Sequence, residues 1–140
     1  MRFIILVKAT PDTEHGVMPT EALIASMAEF HEQLAKAGVL LDASGLQPSG
    51  KGWRVHYDGT RRRVVDGPFA EAKELVAGYT LIQTRTRDEA LEWTRRFPNP
   101  AVDGGVAEVE VRQLYELDDF GPGESIERLR EIGIGNPPAP

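Results

Sequence analysis

The stretch Trp53-Arg54-Val55-His56-Tyr57-Asp58-Gly59-Thr60-Arg61-Arg62-Arg63-Val64-Val65-Asp66-Gly67-Pro68 decides the fold class. Asp58-Gly59 is the strongest two-residue hairpin signal in the chain, flanked on both sides by β-branched and aromatic residues. A two-residue loop predicts Tyr57 opposite Thr60 and Val55 opposite Arg62. One hairpin face then carries Trp53, Val55, Tyr57 and Val64, with Thr60 and Arg62 as its polar members, and is the face to bury. The other carries Arg54, His56, Arg61 and Arg63. Asp66-Gly67-Pro68 ends the second strand with turn chemistry.

Toward the N-terminus, residues 45–50 (Gly-Leu-Gln-Pro-Ser-Gly) read as a turn. Before them, Leu23, Met27, Phe30, Leu34 and Ala37 recur in steps of four and three residues. That spacing puts them on one helical stripe, and Gly38 supplies a C-terminal stop. Residues 11–19 read as a loop. The uninterrupted apolar run Phe3-Ile4-Ile5-Leu6-Val7 suits a central strand covered on both faces.

Toward the C-terminus, residues 69–74 connect to a strand over 75–83, in which Gly78 marks a close backbone approach or a bulge. Thr86 and Glu89 have the spacing of a capping box. The helix that follows lines up Ala90, Trp93, Thr94 and Phe97 until Pro98 ends it. After a loop over 99–105, Ala107, Val109 and Val111 alternate with Glu108, Glu110 and Arg112 as a half-buried strand. The order strand, helix, hairpin, strand, helix, strand predicts an α+β domain, ferredoxin-like βαββαβ with an extra β-hairpin strand. Residues 116–140 differ in kind, a C-terminal extension with a short helix over 126–132 and a disordered Pro/Gly-rich end over 133–140.

Composition narrows the function classes. A chain of 140 residues with a net charge of −6 fits one mildly acidic domain, so nucleic acid and anionic membranes are not the expected partners. There is no cysteine, which removes disulfide and thiolate chemistry. The N-terminal apolar run of five residues is too short for an export signal or a membrane span, so a cytoplasmic location is expected.

The segment Val65-Asp66-Gly67-Pro68-Phe69-Ala70-Glu71-Ala72-Lys73-Glu74, followed by Gly78-Tyr79, resembles the signature of the DGPF group of YCII-related proteins. The likeness extends to Arg2-Phe3-Ile4-Ile5-Leu6, Gly45-Leu46-Gln47-Pro48, Asp88-Glu89-Ala90-Leu91-Glu92-Trp93 and Val109-Glu110-Val111-Arg112, and so over residues 1–115. Ala72 stands where the group usually has threonine and Gln113 where it usually has proline. The resemblance implies a ferredoxin-like domain that pairs two sheets face to face into a homodimeric α/β barrel. It also implies an unsettled function, with an aspartate–histidine acid–base pair proposed for YCII-related proteins and genes that often neighbour those of sigma factors.

Asp66 is the first candidate site residue, a carboxylate at a strand end that serves as a general base or only caps its own turn. Gly67, Pro68 and Phe69 are expected to shape a ligand pocket beside it. His31 lies at the border of the first helical stripe and is the expected partner of Asp66, or a plain packing residue. Lys73 would hold an anionic group and Glu71 orient it, against a solvated loop in which such charges do little. Arg61-Arg62-Arg63 alternates across the strand and reads as a charged edge rather than a nucleic-acid site. His15, His31 and His56 have no paired spacing, so neither a metal nor another cofactor is expected. Two functions stay open: a homodimeric small-molecule-binding or accessory protein, and an acid–base enzyme built on Asp66 and His31.

Overall fold

Strand β1 (Arg2–Lys8) is buried at alternate residues, with Phe3 and Ile5 in the core and Ile4 and Leu6 only half-buried. The expectation of cover on both faces is therefore corrected: helices cover one face of the sheet only. The computed structural model describes residues 1–135. After β1 come a short α1 (Pro11–Glu14), α2 (Glu21–Lys36), β2 (Leu40–Gly45), β3 (Trp53–Asp58), β4 (Arg61–Asp66), β5 (Val76–Gln83), α3 (Arg87–Arg95), β6 (Val109–Gln113) and α4 (Glu124–Glu131). Single 3₁₀ turns lie at Ser49–Lys51, Ala72–Glu74 and Leu117–Phe120. The far end of the Pro/Gly-rich tail, 136–140, lies outside the described residues.

Four strands form one antiparallel sheet in the order β2-β5-β1-β6, an α+β arrangement compatible with a ferredoxin-like fold. The fourth strand is β2, in a segment for which the sequence carried no strand expectation. Leu40-Leu41-Asp42-Ala43-Ser44-Gly45 has too few β-formers to advertise itself, and pairing with β5 makes it a strand. The hairpin is not an extra strand of this sheet. Among the described residues β3 and β4 pair only with each other and form a separate two-stranded ribbon. Their register places Asp58 opposite Arg61 and Tyr57 opposite Arg62, so the turn residues are Gly59 and Thr60. Gly59 has φ +61°, the left-handed conformation that glycine tolerates.

The core lies between the sheet and helices α2 and α3. Phe3, Ile5, Phe30, Leu34, Val39, Ile82, Ala90 and Trp93 are buried in it. Val109 and Val111 lie opposite Val7 and Ile5 and pack on this same side, as does Phe97. Both α2 and α3 start at a threonine whose hydroxyl accepts an amide hydrogen, Leu23 N to Thr20 at 3.2 Å and Glu89 N to Thr86 at 3.1 Å. The Glu89 carboxylate reaches one residue further back than a capping box requires, to Arg85 N at 3.1 Å.

Two apolar surfaces stay uncovered among the described residues. One is the open sheet face, where Ile4, Leu6, Tyr79 and Leu81 are half-buried. The other is the hairpin face expected to be buried: Trp53, Tyr57 and Val64 are 66%, 67% and 64% exposed. Beyond β6, Arg2 grips Glu116 with two hydrogen bonds of 2.9 Å and so ties the start of the extension to the first strand.

Candidate functional site

The α2 stripe divides into two parts with different surroundings. Phe30 and Leu34, in its C-terminal half, are buried in the core, whereas Leu23 and Met27 line an open cleft. The cause is in the sheet beneath. Register places Val7, Gly78, Thr80, Ala43 and Gly45 side by side on the helix-facing surface at this end. No side chain there is large enough to fill the gap that Phe3, Ile5 and Ile82 fill further along. Gly78 is closely covered: a Cβ would stand 3.0 Å from the Ser44 carbonyl oxygen, so a larger residue needs that backbone to give way by a few tenths of an ångström. The resulting cleft has a volume of about 740 Å³, within the range of small-molecule sites. The segment after α1 forms its lip, with Val17 44% and Met18 77% exposed.

His31 supplies the polar centre of this cleft. Its Nδ1 lies 2.7 Å from the Met27 carbonyl oxygen and its Nε2 2.9 Å from Thr80 Oγ1. A carbonyl only accepts, so Nδ1 carries the hydrogen, and in the neutral ring Nε2 accepts from the Thr80 hydroxyl. Phe30 and Phe97 meet the ring edge-on at centroid distances of 5.5 and 6.2 Å, which fixes its plane. The ring is thus held at both nitrogens. Tyr79 alternates to the open sheet face, where its hydroxyl donates to Asp42 Oδ2 at 2.8 Å. That bond holds the Tyr79 phenol above its ordinary value, while the Ser44 side chain pulls the other way.

The signature loop lies elsewhere. Asp66 closes the hairpin opposite Trp53 and is exposed, and among the described residues its carboxylate has no hydrogen-bond or ionic partner. It therefore does not cap its own turn. Gly67, Pro68, Phe69, Glu71 and Lys73 are likewise absent from the described cleft lining, and Glu71 and Lys73 are exposed. What the loop does contact is the turn after β2. Gly67 N donates to Gly52 O at 3.0 Å, and Phe69 N to Ser49 Oγ at 3.0 Å. A Cβ on Gly67 would fall 1.9 Å from the Ser49 carbonyl oxygen, so this position admits only glycine. Arg54 stacks its guanidinium 3.9 Å above the Phe69 ring.

The structure thus brings His31 to a cleft with Thr80 and does not bring Asp66 to it within one chain. Sequence reasoning missed Thr80 and the small-residue floor. The available signal was the alternation Gly78-Tyr79-Thr80 with Ala43-Ser44-Gly45, legible only once β2 is known to pair with β5. Among the described residues no helix is long and apolar enough to cross a membrane, and no group of three or more His, Asp or Glu could hold a metal ion.

Comparison with known proteins gives a family. The model of the YCII-related domain matches residues 1–115. The chain is 31% identical over 104 residues to the uncharacterized protein R00369 of Rhizobium meliloti (strain 1021), covering 74% of this chain and 80% of that protein. Among solved structures it is similar to 5-chloro-2-hydroxyhydroquinone dehydrochlorinase (TftG) from Burkholderia phenoliruptrix AC1100 in complex with 2,5-dihydroxybenzoquinone. That similarity has a TM-score of 0.45 at 13% identity, over 83% of this chain and 95% of the other.

Proposed function

The chain belongs to the YCII-related domain family, and from that premise we propose that it is a homodimeric small-molecule-binding protein whose site is the cleft at His31. One observation carries this reading: a histidine hydrogen-bonded at both ring nitrogens on the wall of a cleft of about 740 Å³. Pre-formed clefts with a few convergent polar groups are where small molecules bind. A ligand-sensing accessory role, of the kind the resemblance implies beside sigma-factor genes, asks for no more than this. The dimer rests on the two uncovered apolar surfaces, because a sheet with helices on one face leaves its other face to a partner.

Filling the cleft tests the site. Met27→Trp occupies the space above the small-residue floor without touching the core cluster. A thermal-shift screen of small molecules should give compounds that raise the Tm of the native protein and leave the variant unmoved. Equal shifts in both proteins would place binding outside the cleft.

A second reading, an acid–base enzyme joining Asp66 to His31, is favoured by the unpartnered Asp66 carboxylate. Since Asp66 does not line the cleft of its own chain, the pair would be completed by the hairpin of a second copy. On that reading Asp66→Asn abolishes turnover of a substrate found in the screen. On the binding reading the same variant leaves affinity unchanged.

A further inference from the structure

The cleft is uncharged. Of the chain's residues 27% are charged, which would put about six among the 24 described residues lining the cleft, and there are none. A buried ion needs a paired charge, and no Asp, Glu, Lys or Arg among the described lining residues supplies one. The polar groups that do line it are mostly committed. Thr13 Oγ1 is 2.8 Å from Thr10 N and 3.0 Å from Thr10 O. At the centre, Nδ1–H of His31 is spent on the Met27 carbonyl, and in the neutral ring the Nε2 lone pair is filled by the Thr80 hydroxyl hydrogen. A hydroxyl has one hydrogen and two lone pairs, so what Thr80 still offers is an acceptor.

Resting on the reading of this cleft as the ligand site, we infer that its ligand is an uncharged molecule with an apolar body and a hydrogen-bond-donating head, an alcohol or a phenol, whose O–H donates to Thr80 Oγ1. Leu23, Ile24, Met27 and Phe97 receive the apolar body, and methionine adapts to a flat ring or an aliphatic chain alike. An ether of the same shape lacks the donor and leaves the Thr80 lone pair unmet. An anion or a cation loses its hydration without gaining a counter-charge.

Four probes with one aromatic body separate these terms: naphthol, methoxynaphthalene, naphthalenesulfonate and naphthylmethylammonium. Binding to the full chain is measured by titration calorimetry, and NMR of the histidine rings identifies the site. The expected order is naphthol first, methoxynaphthalene about 2- to 10-fold weaker, as one net hydrogen bond dictates, and both ions weaker by at least about 10-fold. Thr80→Val keeps the side-chain shape and should erase the preference for naphthol over its ether, while Thr80→Ser should retain it. An ion that binds as well as naphthol while shifting His31 would overturn the ligand class and leave the site standing. So would a naphthol preference that survives Thr80→Val. If none of the four probes shifts His31, the site reading itself fails, and this inference with it.

Discussion

The Glu14 carboxylate holds Ser49 twice, accepting its amide hydrogen at 3.0 Å through Oε1 and its hydroxyl hydrogen through Oε2. Ser49 Oγ in turn accepts from Phe69 N at 3.0 Å. Through this chain the helical turn that begins the cleft lip, the turn after β2 and the signature loop form one connected unit. The signature is then tied to the cleft through Ser49 rather than by lining it, and neighbouring Pro48 and Gln47 do line it.

Removing the middle of that unit should cost more than removing an end. Ser49→Ala leaves Phe69 N and the half-buried Glu14 carboxylate each short of a partner, an expected loss of about 1–3 kcal/mol in urea unfolding. Glu14→Gln keeps an acceptor and should cost less. In a double-mutant cycle the two changes should couple by about 0.5 kcal/mol or more. Additive effects would mean that the three segments are held independently.

Gly67→Ala should be among the most damaging single substitutions in the chain. The added methyl meets the Ser49 carbonyl oxygen, a backbone atom that cannot rotate away. Overpacking of this kind costs about 1–3 kcal/mol and more where backbone must shift. The comparison is Gly50→Ala, where a Cβ would find only Pro68 Cβ at 4.0 Å. If unfolding curves of the two variants coincide, the close approach at Gly67 is not what the position is for.

The Tyr79 phenol is raised first by its hydrogen bond to Asp42, against the opposing Ser44 side chain. Protonated tyrosine is therefore favoured in the folded state. The associated stability is complete below the unfolded value of 10.0 and fades as pH rises through the higher folded value. An ultraviolet titration should show one tyrosine ionising later than the others, and Asp42→Asn should bring it back toward them. A late tyrosine that persists in Asp42→Asn would assign the effect to another residue.

Hairpin substitutions should separate stability from association. Trp53 and Tyr57 are about two-thirds exposed, so Trp53→Ser with Tyr57→Ser should change the unfolding free energy of the single chain by about 0.5 kcal/mol or less. If the hairpin face belongs to a homodimer, the same pair of changes should lower the dimer fraction seen by sedimentation. A native protein that sediments as a monomer at micromolar concentration would remove the homodimer from the account.

Much of the fold was legible because local signals agreed with tertiary ones. The α2 spacing, the Thr86 cap and the alternation in β6 each reported a true element. β2 was not legible, since Asp42, Ser44 and Gly45 are weak strand formers and only β5 makes the segment a strand. The hairpin was legible as a hairpin, but its apolar residues pointed to burial that one chain does not provide. His31 could be singled out because it lies at the border of the apolar stripe, one turn after Met27. Thr80 could not, because nothing within β5 shows that it faces a histidine 49 positions earlier. Asp66 stood out by its motif, and its neighbours Gly67 and Phe69 hydrogen-bond the turn at Gly52 and Ser49, a contact no sequence pattern announces.

The most direct test of the central claim is a crystal structure of the full chain with naphthol bound. The account predicts the ring above Gly78 and Ala43, with its oxygen about 3 Å from Thr80 Oγ1 and the His31–Met27 contact intact. Naphthol seated against Asp66 and Phe69, with the cleft at His31 empty, would contradict it.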